Sequence, residues 1–158
     1  MTVDELIAIE EIKNLRHDYC AAFDALDIDA LVALFTEDAV CDFGADYGTW
    51  VGRDTIRTNY LASMKDVGAP FNSLHIVTNP VIRLVSPTEA HGRWYLIDLL
   101  TRQKPETAMA TRGGHDNPLL WLAIYEDDYR KLSGVWKIAY CKLSFLWPSR
   151  SYTGLRHP

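Results

Sequence analysis

The period of the apolar residues changes once along this chain, from helical to strand-like. Over residues 11–27 apolar side chains recur at gaps of three and four, which predicts a helix; they are Ile12, Leu15, Tyr19, Phe23 and Leu26. Two shorter helices are predicted over 27–35 and 52–64. Between them the segment TEDAVCDFG and the glycine-rich segment GADYGTWVG predict two short strands, and from Ser73 onward the pattern is mostly that of strands. Helices followed by a run of strands indicate an α+β domain, in which a curved sheet wraps around the first helix.

Length and charge narrow the class of protein. A chain of 158 residues predicts one domain over 1–158 with a sizeable core. The net charge of -5 argues against nucleic acid and anionic membranes as partners. The amino-terminal residues lack a basic start and a long apolar run, so no signal peptide or membrane span is expected and the protein is placed in the cytoplasm. Three cysteines at no metal spacing fit buried free thiols there.

Two strand runs, 73–85 and 89–101, are separated by Ser-Pro-Thr and predict a β-hairpin. If Ser86 and Pro87 form its tip, the numbers of cross-strand partners add to 173, which places His75 opposite Asp98. By alternation Asp98 shares a face with Trp94 and Leu96. A carboxylate on an apolar face is costly unless it is paired or faces a polar pocket.

The first helix adds two polar residues to this region. Tyr19 brings a hydroxyl into the apolar row, and Asp24 lies about 140° further round the helix, so both can flank one shared cavity. With His75 and Asp98 they form a candidate acid–base set, because a carboxylate holds a histidine in one tautomer and a tyrosine hydroxyl donates a proton. The plainer interpretation is a core tyrosine, a solvated or capping aspartate and a satisfied core histidine.

The rest of the chain supplies the expected walls of a pocket. Residues 102–117 predict a flexible loop that covers it, and 119–130 with 135–147 predict a second hairpin. Strand alternation and aromatic content predict that Trp94, Leu96, Trp121 and Tyr140 line one apolar cavity. Neither a phosphate-binding glycine loop nor a metal motif is present in the sequence, so no cofactor and no metal are expected.

Four segments carry a resemblance to a known family: IKNLRHDYCAAFD, LHIVTNP, GRWYLID and YEDDYRKLSGVW. Over nearly its whole length the chain resembles the SnoaL-like group of the nuclear transport factor 2 superfamily, and within it the bile-acid 7α-dehydratase branch. The resemblance implies a cone-shaped, cystatin-like α+β barrel with a curved mixed sheet. It also implies a cofactor-independent lyase with Tyr19, Asp24, His75 and Asp98 on the active-site positions. The related scytalone dehydratase and hexachlorocyclohexane dehydrochlorinase use a comparable His–Asp pair.

The resemblance departs at one position of the last strand. The bile-acid enzymes carry an active-site arginine there, and by spacing from Trp136 the position is Phe145 in this chain. Two explanations are open: Lys142 substitutes for the arginine in binding substrate from a neighbouring position, or the substrate lacks the feature that the arginine contacts.

Two classes of function follow. The first is a dehydratase acting on a hydroxylated steroid-like or polycyclic carbonyl compound, or a double-bond isomerase of the ketosteroid isomerase kind. The second is a non-catalytic small-molecule binding module, because fold alone does not decide function. The His–Asp–Tyr set favours the lyase, since a binding module has no need for a base opposite a carboxylate. The resemblance further implies a homo-oligomer, a trimer or alternatively a dimer.

Overall fold

A computed structural model describes residues 1–67, 72–101, 119–147, 150–154 and 156–157 of the chain. Helix α1 (Val3–Asp24) begins earlier than its apolar stripe predicts. Thr2 and Glu5 form a capping box, which satisfies backbone donors of the first turn and starts the helix there. The helix ends before Leu26, whose backbone adopts a positive φ of 57° that no right-handed helix contains.

Short elements connect α1 to the main sheet. Helix α2 (Ile28–Ala33) is capped by the Asp27 side chain, and strand β1 (Phe35–Asp42) follows it. A single helical turn, α3 (Gly44–Tyr47), then leads to β2 (Thr49–Val51), and β2 leads to helix α4 (Arg53–Val67). The predicted short helices and short strands are confirmed, and α3 is an addition that the glycine-rich segment did not predict.

Four long strands complete the chain: β3 (Asn72–Ser86), β4 (Glu89–Thr101), β5 (Leu119–Leu132) and β6 (Val135–Trp147). Within the described ranges the sheet has the order β2-β1-β6-β5-β4-β3, with β1 parallel to β6 and every other neighbour antiparallel. The sheet is therefore mixed, and it curves around α1 without closing. Both predicted hairpins are confirmed, and the loop prediction over 102–117 lies outside the described residues.

The two faces of the sheet differ in composition. On β4 the inner face carries Trp94, Leu96 and Asp98, which are buried, and the outer face carries His91, Arg93 and Tyr95, which are partly exposed. Helix α1 packs across the inner face, mainly on β3. The predicted stripe is confirmed, because Ile12, Leu15 and Tyr19 are buried in the core that this packing forms. The three cysteines are free and buried, as predicted.

One charged pair is enclosed in this core. Arg16 on α1 lies with its Nε atom 3.5 Å from Asp127 Oδ2 on β5, and both side chains are fully buried. Tyr129 donates its hydroxyl to the same Asp127 oxygen at 2.6 Å, and the indole N–H of Trp94 donates to Tyr129 at 3.0 Å. Burial raises the pKa of the Asp127 carboxyl, and the neighbouring guanidinium opposes that rise. The pair therefore stays ionic only while both partners are present.

Gly92 is part of this arrangement because it leaves room for Tyr129. A Cβ atom at position 92 would lie 2.7 Å from the Tyr129 ring, closer than carbon atoms approach in folded proteins. Glycine is therefore required here for close packing of the neighbouring strand.

Among the described residues, no helix combines the length and apolar character that crossing a membrane requires.

We expect Arg16→Met to lower the free energy of unfolding by about 3–5 kcal/mol, because it leaves the buried Asp127 carboxylate without its counter-charge. Urea denaturation followed by circular dichroism measures this loss. The double variant Arg16→Met, Asp127→Asn is expected to recover a large part of it. Lys13→Met is the matched control: it removes a pair with Glu10 at the surface and should cost about 0.5 kcal/mol at most. Equal losses in the two single variants would contradict the buried-pair argument.

Candidate functional site

His75 is held in place by the carboxylate at the end of α1. Its ring Nδ1 lies 2.6 Å from Asp24 Oδ1, and its backbone N–H donates to Asp24 Oδ2 at 2.8 Å. One carboxylate thus fixes both the main chain and the ring of the same residue. Because a carboxylate accepts hydrogen bonds, Nδ1 carries the proton in neutral His75, and Nε2 keeps a free lone pair.

Asp98 lies on the other side of the same imidazole. The β3–β4 register pairs His75 with Asp98, as the hairpin predicted. Asp98 Oδ2 is 3.8 Å from His75 Nε2, which is beyond hydrogen-bonding distance. The Nε2 lone pair is therefore close to a carboxyl group but makes no hydrogen bond with it. Asp98 Oδ1 is buried and has no hydrogen-bond partner among the described residues.

His75 and Asp98 begin a row of side chains that continues across one end of the inner face. Asp98 is paired with Trp121 on β5, and the Trp121 ring contacts Phe145 of β6 edge-on, with ring centroids 5.1 Å apart. His75, Asp98, Trp121 and Phe145 thus come from four neighbouring strands and lie side by side at the end of the sheet that the last turn of α1 approaches. The row changes from ionisable to aromatic across the sheet.

Tyr19 reaches the site from α1 together with a second tyrosine. Its hydroxyl lies 2.8 Å from the hydroxyl of Tyr60 on α4, and both rings are buried. The Phe23 ring packs against both groups, with its centroid 5.6 Å from Tyr60 and 4.4 Å from His75. Phe23 therefore connects the tyrosine pair to the imidazole.

The pKa values in the site follow from burial. Burial raises the pKa of the Asp98 carboxyl, the nearby His75 opposes this rise, and Asp24 adds to it. Burial likewise raises the pKa of Tyr19 and Tyr60 well above the ordinary tyrosine value. The Arg16 guanidinium, 4.4 Å from the centre of the Tyr19 ring, opposes the rise at Tyr19. Both hydroxyls therefore keep their protons at neutral pH and act as hydrogen-bond donors.

The structure separates the predicted substrate-binding residues into two groups. Trp94 and Leu96 are buried on the inner face, and Trp121 is half-buried on the same face beside Asp98. The Trp94 indole is committed to Tyr129, so it belongs to the closed end of the core with Arg16. Leu96 and Trp121 adjoin Asp98 on the sheet, and Trp121 contacts Phe145, so these three residues form the apolar continuation of the site on the strands.

Tyr140 and Lys142 lie on the outer face, so the prediction that they share the pocket is wrong. Tyr140 is paired with Asp128 and Lys142 with Glu126, both on the outer side of β5. Tyr140 follows a β-bulge, because Ile138 pairs with Tyr129 and leaves Ala139 without a partner. An extra residue reverses the alternation, and this moves Cys141 and Phe145 inward in place of Tyr140 and Lys142. Lys142 therefore does not substitute for the arginine of the bile-acid enzymes.

Three further residues of the site were missed from the sequence. Ser73 lies with its Oγ 3.1 Å from His75 Nδ1, and its hydroxyl also lowers the pKa of Asp98. Its position two residues before His75 on one strand was the available signal. The helical period places Phe23 and Tyr60 on the apolar faces of their helices, and it does not distinguish a core tyrosine from one that meets Tyr19.

The arrangement contains side chains that can transfer protons. His75 offers an oriented nitrogen base, and the Tyr19–Tyr60 pair offers a hydroxyl donor that packs against Phe23. Asp24 and Ser73 position the base, and Asp98 places a protonatable carboxyl beside it. Side chains of these types serve general acid–base catalysis.

A curved mixed sheet around one long helix, with a carboxylate-held histidine on its inner face, defines an α+β protein of the nuclear transport factor 2-like class. The chain belongs to the SnoaL-like domain family, which matches residues 4–142.

Several solved structures share this fold. A candidate scytalone dehydratase from Novosphingobium aromaticivorans aligns with a TM-score of 0.78 at 24% identity, covering 98% of this chain and 94% of that one. A type 2 hexachlorocyclohexane dehydrochlorinase aligns with a TM-score of 0.72 at 21% identity, covering 97% and 94%. A protein of unknown function with a cystatin-like fold, from Nostoc punctiforme, aligns with a TM-score of 0.71 at 20% identity, covering 96% and 97%. The expected cystatin-like fold and SnoaL-like family are confirmed.

We expect Asp98→Asn to stabilise the protein by about 1 kcal/mol at pH 8 and to give little gain near pH 4. The pKa of Asp98 is raised in the folded state, so its ionised form opposes folding. That cost is absent below the ordinary aspartate pKa and grows as pH rises toward the folded-state value. Urea denaturation across this pH range measures the difference.

Asp38→Asn is the control for this pH dependence. Asp38 is at the surface, and its hydrogen bond with Arg130 lowers its pKa, so the sign reverses and the variant should lose stability at neutral pH. Parallel pH profiles for the two variants would contradict the assignment of a burial cost to Asp98.

Proposed function

We propose that this protein is a cofactor-independent lyase, a dehydratase that removes water from a hydroxylated steroid-like or polycyclic carbonyl compound. The observation that carries the proposal is the contact between His75 Nδ1 and Asp24 Oδ1 at 2.6 Å, which leaves Nε2 as an oriented base on the inner face. The lyase names of two structural neighbours support the same class of reaction.

His75 is the base in this mechanism. Its Nε2 atom takes the proton from the carbon next to the substrate carbonyl, and the resulting imidazolium is stabilised by Asp24. Ser73 helps to hold the ring, since its Oγ lies 3.1 Å from Nδ1. Asp24 at the carboxyl end of α1 lies where the helix dipole disfavours a negative charge, and its two hydrogen bonds with His75 offset that cost.

The tyrosine pair supplies the acid. One hydroxyl proton serves the Tyr19–Tyr60 hydrogen bond, and the second is available to substrate. In the proposed reaction Tyr19 donates to the departing hydroxyl group or to the carbonyl oxygen as negative charge develops there. Asp98 hydrogen-bonds the substrate or steadies His75 from its Nε2 side.

The inner-face residues near the row support an apolar, ring-containing substrate. Trp121 and Phe145 meet edge to face, and Leu96 and Phe23 add apolar surface around His75 and Asp98. Phe145 occupies the position where the bile-acid enzymes have an arginine, so this wall offers stacking in place of a charge. A polycyclic skeleton stacks on such a wall and leaves its carbonyl and hydroxyl groups to the ionisable end of the row.

We expect His75→Ala to lower kcat/KM by a factor of about 10² to 10⁴, because general base catalysis contributes that much, or about 3–5 kcal/mol of barrier. The assay incubates the protein with a panel of hydroxylated 3-keto steroids and follows the ultraviolet band of extended conjugation. Tyr19→Phe should cost less, since Tyr60 keeps a hydroxyl in the pair, and tryptophan fluorescence should show that substrate binding is nearly unchanged.

The outcomes separate this proposal from its alternatives. A parent rate in His75→Ala would show that the mechanism is wrong. A shifted double bond without loss of water would assign the same residues to an isomerase. Binding of steroids without any turnover in the parent protein would identify a binding module.

The outer face near the site supports self-association. Leu74 and Ile76 on β3 are 49% and 41% exposed, and they pair with Leu99 and Ile97 of β4. We name this set of four residues the outer apolar patch. Soluble proteins seldom leave contiguous apolar surface uncovered, so the occupant we propose is a second copy of the chain, in a trimer or alternatively a dimer.

We expect light scattering to give a homo-oligomer at micromolar concentration, and Ile76→Lys to shift it toward monomer, because a charge in the outer apolar patch opposes its burial. Val135→Lys is the matched control, an exposed apolar residue at the β5–β6 turn that should leave the mass unchanged. A parent protein that is monomeric at this concentration would rule out self-association through this patch.

A further inference from the structure

A second cluster of ligating side chains lies on the outer face, on the opposite side of the sheet from His75. His91 on β4 and Asp128 on β5 are cross-strand partners, and His157 reaches them from the segment that follows β6. The three candidate ligand atoms all lie within 4.8 Å of one another. The proposed lyase mechanism uses none of these residues.

We propose that His91, Asp128 and His157 form a binding site for a transition-metal ion such as Zn²⁺. Asp128 Oδ1 lies 2.8 Å from His91 Nδ1 and 3.4 Å from His157 Nε2. A tetrahedral ion with bonds of about 2.0–2.1 Å needs its ligand atoms about 3.3 Å apart. Both separations are within about half an ångström of that value, and the two imidazole nitrogens lie within 4.8 Å of each other, so one ring must move closer for all three ligands to reach one ion.

The other oxygen of Asp128 is held by a neighbouring residue. Arg156 donates from Nη2 to Asp128 Oδ2 at 3.0 Å, and its backbone N–H donates to Glu126 Oε1 at 2.6 Å. These contacts turn Oδ1 toward the two imidazoles. Support of this kind for a ligating carboxylate is typical of metal sites, where outer-shell partners orient the ligands.

The ligand types select the class of ion. Two imidazoles and one carboxylate suit Zn²⁺, Co²⁺ or Ni²⁺, whereas Mg²⁺ and Ca²⁺ prefer oxygen ligands alone. Glu126 is buried beside the cluster, and its Oε2 has no hydrogen-bond partner among the described residues. Its negative charge adds to that of Asp128. The two carboxylates face the guanidinium groups of Arg156, Arg93 and Arg83, so an ion is held there by its direct ligands and not by an excess of negative charge.

The imidazole rings must turn to share one ion. Their centroids are 3.7 Å apart and their planes are 15° apart, so the two rings are stacked and not directed at a common point. Convergence requires the ring of His157 to tilt. That side chain is 39% exposed, which leaves it free to do so at low cost.

Space for the remaining ligands adjoins the cluster. A cavity of about 210 Å³ is lined by His91, His157, Glu126 and Arg93, among others. It is large enough for a water to complete a tetrahedral shell. The ion would join β4, β5 and the segment that carries His157, and so would fix that segment to the outer face.

The test uses the full chain without a histidine tag, freed of metal by dialysis against a chelator. Isothermal titration with Zn²⁺ should give one ion per chain, and Co²⁺ should give a visible absorption band of tetrahedral coordination. His157→Ala, at a partly exposed position, should weaken binding at least tenfold without affecting the fold. His91→Gln and Asp128→Asn should do the same, with circular dichroism as the folding check.

Two matched variants decide whether the site is the one proposed. His17→Gln removes an exposed histidine of α1 and should leave the stoichiometry and affinity unchanged. His75→Ala should also leave them unchanged, because it lies on the opposite face. Loss of binding in His75→Ala with retention in His157→Ala would move the ion to the inner site and overturn the proposal. Absence of Zn²⁺ binding by the parent protein would show that the cluster is held by hydrogen bonds alone.

Discussion

The contact between Asp24 and His75 connects the two halves of this fold. Asp24 is the last residue of α1, and His75 lies near the start of the edge strand β3, so a single carboxylate joins the end of the helix to the edge of the sheet. Because it binds both the backbone N–H and the ring of His75, it fixes the strand position and the tautomer together. The orientation of the base therefore depends on where the helix ends.

The length of α1 separates two environments on the inner face. Around Arg16 the helix is enclosed with Asp127, Tyr129 and Trp94, and the charges there face each other as an ion pair inside the core. About two turns further on, Asp98 lies beside an imidazole nitrogen that makes no hydrogen bond with it. Both environments contain buried polar atoms that have no hydrogen-bond partner among the described residues, and the inner site differs from the Arg16 pair in placing an unoccupied base beside a carboxyl group.

The β3–β4 hairpin was predictable from the sequence, and the bulge in β6 was not. The predicted pairing of His75 with Asp98 is observed, although the turn alone does not produce it: Ser86 pairs with Glu89, and two register shifts between the turn and His75 bring the strands to the predicted alignment. Strand alternation failed in β6, because the unpaired Ala139 exchanges the two faces beyond it. Nothing local marks Ala139, since a bulge forms where it lets two long strands follow the curvature of the whole sheet.

The order and period of the apolar residues determined the α+β class, the helical stripe of α1 and both hairpins, because these depend on local geometry. The sequence also indicated that His75 lies opposite Asp98, whereas the packing of α1 on β3 brings Asp24 to His75. Tertiary structure alone decided that Tyr60 meets Tyr19, that Tyr140 and Lys142 face outward, and that His91, Asp128 and His157 converge. These arrangements involve residues that are far apart in the chain. They depend on sheet curvature and on the packing of α4 and of the segment after β6, and the periodicity within one element does not encode them.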